Sequence, residues 1–265
     1  MGYRLEGKTV VITGASSGIG RAAAVEFHRA GCNVAAAARS EDKLDALAGE
    51  LGGDRILPIK TDVTSETDRQ SLLAVVRKKF GRIDVLVNNA GWASFGTVRR
   101  IPLNQVQQMV SLNFLAPIAL ARDVIPEMIE RGSGQIINIS SVVGFQTIPR
   151  MTVYSATKAA LNALTSGLRM ELRGTGVDVL LVAPGSTNTP FFDSAAMVDA
   201  KATRVAQTQY TPQRVARAVV ASSRKRRREV ILTADGKTIC FIRRVSPRLA
   251  DRIMFAVAKK GMPDV

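Results

Sequence analysis

A doubly wound α/β architecture, a parallel sheet with helices on both faces, is predicted by three observations. Short apolar runs rich in β-branched residues recur along the 265 residues, most of these runs are followed by a segment of helical length, and the first is joined to its helix by a glycine-rich turn. Strands that are apolar throughout are buried on both faces, which is how strands sit in a helix-covered parallel sheet. No composition break, internal repeat or long linker divides the chain, so a single domain over residues 1–265 is expected.

The first strand is Thr9-Val10-Val11-Ile12-Thr13, bounded by Gly7 and Gly14, with a helical pattern from Ala22 to Ala30 beyond Gly18 and Gly20. Further strands are expected over residues 33–38, 56–60, 85–88, 135–139, 177–182 and 229–232, making seven. A helix over 102–129 carries Val106, Met109, Val110, Leu112, Phe114 and Leu115, and Pro117 is expected to bend it. A second helix, over 155–172, repeats Ala159, Ala160, Leu161, Leu164, Leu168 and Leu172. Both are apolar enough all round to pack on a partner subunit as well as on the sheet.

With 46% hydrophobic and 22% charged residues, 21 Gly and 10 Pro, the chain is excluded from the collagenous, low-complexity and disordered classes. No apolar run reaches the ~18 residues of a membrane span, and the first residues lack the apolar core and cleavage site of a secretory signal, so a cytoplasmic protein is expected. Cys32 and Cys240 lie in apolar stretches with no metal or redox spacing. The one histidine, His28, leaves little room for histidine-based catalysis. Lys and Arg outnumber Asp and Glu by 37 to 22, a net +15, and residues 221–265 hold 12 basic and 4 acidic side chains. Such a field favours anionic partners.

The turn after the first strand reads Thr13-Gly14-Ala15-Ser16-Ser17-Gly18-Ile19-Gly20. Glycines there let backbone approach a pyrophosphate, whose charge is stabilised by free N–H groups at the following helix start. This T-G-x-x-x-G-I-G pattern resembles the cofactor motif of the short-chain dehydrogenases/reductases. The resemblance extends to Asn88-Asn89-Ala90-Gly91 after the fourth strand, to Asn113, to Ser141 thirteen residues before Tyr154, to the Y-x-x-x-K pair Tyr154 and Lys158, and to Pro184-Gly185 with Thr187 and Thr189. It spans residues 7–189 and implies a Rossmann-type fold.

The resemblance assigns Gly14, Ser16, Ser17, Gly18, Ile19 and Gly20 to the cofactor's phosphates. Asp62 and Val63 meet the adenine edge, Asn89, Ala90 and Gly91 form a ribose wall, and Pro184, Gly185, Thr187 and Thr189 complete the nucleotide site. Relatives that use NAD carry an acid at the end of the second strand, whereas this chain reads Ala38-Arg39-Ser40. Arg39 can grip a 2′-phosphate and Ser40 can donate to it, so NADP(H) is the expected cofactor.

Tyr154 and Lys158 stand four apart on one helical face. The resemblance makes Tyr154 the proton donor or acceptor, Ser141 the partner of the substrate oxygen, Lys158 the tether of the nicotinamide ribose, and Asn113 the holder of a water in a proton relay. A cation ~4 Å from the phenol would lower its pKa, by up to roughly three units at an effective dielectric of ~20. The neighbour Ser140 is set aside because the spacing of thirteen selects Ser141. No metal site is expected.

Trp92, Phe95, Val142, Val143, Phe145, Phe191, Phe192 and Met197 fall in three segments that surround the substrate in the family. They suggest a lipophilic carbonyl or alcohol, with a substrate loop over 190–212; plain core is the equal alternative. Residues 224–265 form a basic C-terminal extension, in which Arg224-Lys225-Arg226-Arg227-Arg228 is foremost a solvated helix end. A helix after Pro247 sets Leu249, Ile253, Phe255 and Val257 against Arg248, Arg252, Lys259 and Lys260. Peripheral contact with an anionic membrane is the secondary expectation, and nucleic-acid binding is not expected. The function expected is an NADP(H)-dependent oxidoreductase acting on a small-molecule carbonyl or alcohol, as a homodimer or homotetramer by resemblance. The alternatives are a catalytically idle NADP-binding interaction protein and a membrane-surface scaffold.

Overall fold

The structure, a computed structural model, describes residues 2–198 and 210–261. Seven parallel strands form one sheet in the order β3-β2-β1-β4-β6-β7-β9: β1 Thr9–Thr13, β2 Asn33–Ala38, β3 Ile56–Lys60, β4 Val85–Asn88, β6 Gly134–Ile139, β7 Val177–Ala183 and β9 Glu229–Ile231. A second, two-stranded sheet pairs β5 (Ser94–Phe95) with β8 (Ala196–Met197). Successive residues of β1 point to opposite faces, so Val10 and Ile12 enter one core layer and Val11 the other. The first layer receives Ala23, Ala24 and Phe27 of α1 (Gly18–Arg29) and Val215 and Val219 of α8 (Pro212–Arg224). The second receives Leu72 and Leu73 of α3 (Glu66–Phe80) and Leu120 and Val124 of α5 (Ala116–Glu130).

Between β1 and β4 the order of connection reverses, since the chain moves outward from β1 through β2 to β3 and then returns to β4. Crevices open at the C-terminal strand ends beside such a reversal. Local chemistry sets the helix ends. Ser65 accepts from the Asp68 amide at the start of α3, basic residues fill the last turn of that helix, and Gly81 leaves it at φ 82°. Pro212 opens α8 behind the Thr211 cap.

The expected helix over 102–129 is α4 (Leu103–Val110) and α5 joined by a π-turn, Ser111–Leu115. The break from α-geometry therefore precedes Pro117. By length and composition alone the 28-residue stretch Leu103–Glu130 could cross a bilayer, in contrast to the expectation from apolar runs. Here it is a core helix, burying Leu120, Val124 and Met128 against the sheet.

The expected C-terminal extension divides. Arg224 closes α8, Lys225 caps it, and β9 then runs along the sheet edge before α9 (Ala234–Val245) and α10 (Pro247–Gly261). In a parallel sheet the residues before and after a strand stand at opposite ends, so the basic run 224–228 and the basic helices α9 and α10 do not share one surface. The expected substrate loop is partly described, as α7 (Phe191–Ser194) and β8; its residues 199–209 and the last residues, 262–265, lie outside the described residues.

Candidate active site

A cleft of about 1630 Å³ runs along the C-terminal strand ends. Of the residues assigned to catalysis or cofactor binding from the sequence, all but Gly20 and Asn113 line it. Those two stand directly behind its wall. A Cβ at Gly20 would lie 2.2 Å from the Gly14 carbonyl oxygen and 2.4 Å from Asn89 Nδ2, and one at Gly14 would lie 2.9 Å from Ala90 Cα. Gly14 and Gly18 also have φ of 66° and 53°, in the left-handed region. The turn is thus pressed against β4 and opens onto the start of α1, where no acidic side chain occupies the first turn and Ser17 makes no side-chain cap. Such an end suits an anion.

Arg39 is exposed where β2 ends, and Ser40 precedes α2 (Glu41–Leu51). Across the mouth, burial works against the Asp62 carboxylate, but two hydrogen bonds from Thr64 and the charge of Arg39 outweigh it and hold the group below its ordinary value. The Asn89 amide donates to the carbonyls of Thr13 (2.9 Å) and Gly14 (3.3 Å), tying the end of β1 to the segment after β4.

The chemical end is built around α6 (Thr152–Glu171). Tyr154 and Lys158, one turn apart, are 7% and 4% exposed. Lys158 Nζ donates to the Ile139 carbonyl at 2.9 Å and lies 5.9 Å from the Tyr154 ring centre. Burial pushes the Tyr154 phenol above its ordinary value, and Ser141 partly opposes this. Burial also lowers Lys158 to about 8. The expected lowering of the phenol by Lys158 is therefore not a property of the protein alone, because at this depth desolvation outweighs a cation that is itself costly to keep charged.

Ser141 follows β6 and caps the short 3₁₀ turn Val142–Gly144. Ser140 donates to Asn162 Oδ1 at 2.5 Å, so the hydroxyls of the two neighbouring serines have separate partners. Asn113 is fully buried in the π-turn. Its Oδ1 accepts from Trp92 N (2.9 Å), while its Nδ2 donates to Trp92 O (2.9 Å) and Thr157 Oγ1 (3.1 Å). The side chain is thereby committed to fixing the Trp92 backbone. Its main-chain carbonyl lacks the regular α-helical donor, since Pro117, four residues on, has no N–H.

The apolar wall comes from Trp92, Phe95, Val142, Val143, Phe191, Phe192 and Met197, as the sequence suggested. Phe145 is not among the lining residues. Phe191 stands 5.6 Å and Phe95 6.3 Å from the Tyr154 ring. The same wall continues onto α9 and α10 through Ile239, Ile242, Ile253, Met254 and Val257. The sequence left the cover of Ile253 and Val257 open between a membrane, a partner and this domain; in the structure they turn into the cleft. Buried Gln146 anchors the two helices, donating to Asp251 at 3.1 Å and accepting from Arg243 at 3.2 Å.

Comparison with known proteins identifies the architecture. The short chain dehydrogenase family model matches residues 8–199. This chain belongs to the short-chain dehydrogenase family. The ketoacyl reductase HetN of Nostoc sp. is 35% identical over 261 residues, 94% of this chain and 88% of its own length. A short-chain dehydrogenase from Streptomyces avermitilis superposes with a TM-score of 0.83 at 34% identity, covering 91% of this chain and 94% of that one. The 3-ketoacyl-(acyl-carrier-protein) reductase of Brucella melitensis, complexed with NADH, has a TM-score of 0.76 at 27% identity over 83% and 91% of the two chains. The alcohol dehydrogenase of Thermococcus sibiricus, complexed with 5-hydroxy-NADP, has a TM-score of 0.75 at 27% identity over 85% and 95%. The short-chain dehydrogenase signatures end before α8, which is why Met254 and the α9–α10 wall had no motif to announce them, while Gln146 lies within their span but at none of their positions. A small signal was present for the π-turn: proline four residues after Asn113 forbids a regular hydrogen bond there.

Proposed function

We propose that this chain is an NADPH-preferring reductase that interconverts a carbonyl and an alcohol on a lipophilic small molecule. The observation that carries the proposal is the placement of Tyr154, beside Ser141 and Lys158, where the glycine-turn half of the cleft meets its apolar half. A nicotinamide nucleotide, when bound, supplies or accepts the hydride. The residues present fit such a group: Gly14, Gly18 and the open start of α1 would hold its phosphates, and Arg39 and Ser40 would hold a 2′-phosphate.

Tyr154 keeps its proton at neutral pH because burial raises its phenol, so it can deliver that proton to a substrate oxygen. Ser141 donates to the same oxygen and stabilises charge developing on it. Lys158, held by Ile139, stands where its charge would assist return of the phenol proton. The main-chain carbonyl of Asn113, which Pro117 cannot serve, is the acceptor that would order a water behind Lys158. Phe95, Phe191 and Phe192 exclude solvent from the phenol and favour an apolar substrate body. A homodimer or homotetramer is supported by exposed Leu115, Ile129 and Met170 on the two long helical stretches.

Consumption of NADPH against a panel of steroids, acyl ketones, quinones and sugars tests the activity, and activity confined to sugars would refute the lipophilic assignment. For the cofactor, NADPH should bind at least tenfold more tightly than NADH, ~1.4 kcal/mol, and Arg39→Asp should reverse the order. Equal affinities in the unmodified protein would refute the role of Arg39.

A further inference from the structure

Helices α9 and α10 have two faces of different character. Inward, Ile253, Met254 and Val257 line the cleft. Outward, Phe241 (68% exposed), Val245 (69%), Leu249 (47%) and Phe255 (48%) leave large apolar side chains in water. These four are among only eleven exposed large hydrophobics in the described residues, and they fall within fifteen consecutive positions. An apolar cluster of this kind marks a contact surface, where scattered single side chains would not.

The charges around them select the partner. Arg243 pairs inward with Asp251 at 3.9 Å, whereas Lys237, Arg244, Arg248, Arg252 and Lys259 have no carboxylate partner among the described residues. On α10 the angular order places Arg248, Arg252 and Lys259 on one arc with Phe255 and Leu249 at its two edges. A second copy of this chain would bring the same cations face to face, which opposes association. A surface offering anionic groups above an apolar phase satisfies both the cations and the side chains that flank them.

We propose that the outer face of the α9–α10 hairpin docks on an anionic lipid bilayer, so that one helix separates the cleft from the membrane surface. The basic run 224–228 takes no part, because it stands at the other end of the sheet. It therefore supplies a control of equal charge. The proposal concerns attachment alone and holds whatever the substrate.

The test is co-sedimentation of the full chain with vesicles of phosphatidylcholine, with and without about 30% phosphatidylglycerol, at about 0.15 M salt. Binding to the anionic vesicles is expected, with a part resistant to about 1 M salt that reports the apolar contacts. The pair Arg248→Glu and Arg252→Glu, and separately the pair Phe241→Ser and Phe255→Ser, should each lower the bound fraction roughly tenfold. Lys225→Glu with Arg227→Glu should leave it unchanged. Unchanged NADPH binding in every variant establishes that each is folded. Absence of binding, equal loss in the control pair, or loss with the arginine pair but not the phenylalanine pair would each overturn the proposal. So would a dimer in sedimentation that the phenylalanine pair dissociates, since the face would then join two copies.

Discussion

Around Gly14 the cleft is walled by backbone held so close that a single methyl would collide with it; around Tyr154 it is walled by side chains drawn from distant segments. The glycine turn of the first region and the Asn89–Ala90 backbone it meets lie inside the stretch matched by the family model, whereas Met254 and Val257 of the second lie outside it. The difference teaches where change is tolerated. A backbone-built site binds a constant ligand and admits almost no substitution, while a side-chain wall can be rebuilt for a new substrate without moving the proton donor.

The largest effect should come where the two regions meet. Tyr154→Phe keeps the ring packed against Phe191 but removes the proton, so turnover should fall by ~10²-fold or more with nucleotide affinity little changed. Retention of more than about a tenth of the activity would assign proton transfer elsewhere. Next in size is Gly20→Ala, whose methyl meets the Gly14 carbonyl at 2.2 Å. Overpacking of this kind costs ~1–3 kcal/mol, so both the melting temperature and NADPH affinity should drop. Unaltered values would show that the turn can give way. On the other side, Met254→Ala should raise KM for the preferred substrate by roughly tenfold, as loss of apolar contact does, with NADPH affinity unmoved. A change in nucleotide affinity would dissolve the distinction between the halves.

The smallest effect is one of pH on stability. Burial lowers Lys158 from 10.5 to about 8, so between those values the unfolded chain binds a proton that the folded chain has released. Stability from this group therefore rises with pH across that window. Tyr154 acts oppositely above its ordinary value of 10.0, where the folded chain keeps a proton that the unfolded chain loses. Denaturant midpoints at about pH 7.5 and about pH 9.5 should show the native protein gaining relative to Lys158→Met. An identical difference at both pH values would mean that Lys158 is not penalised by burial.

The strands of the large sheet were legible because each is a short, buried apolar run, whereas their order in the sheet was not predicted. The predicted ranges for β1 through β4 coincide with the observed ones, β6, β7 and β9 differ by one residue at an end, and the short β5 and β8 were not predicted. The cluster of Tyr154, Lys158 and Ser141 was legible through spacing. What the sequence did not disclose depends on contacts between distant positions: which face of α10 turns inward, the grip of Gln146 on Asp251, and the commitment of the Asn113 amide to Trp92. Periodicity defines an apolar face without naming what covers it.

The π-turn at Ser111–Leu115 has a consequence for the whole helical stretch. Each residue of an α-helix advances ~100° about the axis, and a turn widened by one residue acts as a frameshift between the two segments it joins. Upstream, Met109 keeps its place beneath the cleft floor; downstream, Leu120, Val124 and Met128 keep theirs against the sheet. A single deletion within 111–115 that restored regular α-geometry would put these two registers out of phase, and one of the two faces would have to leave the interior.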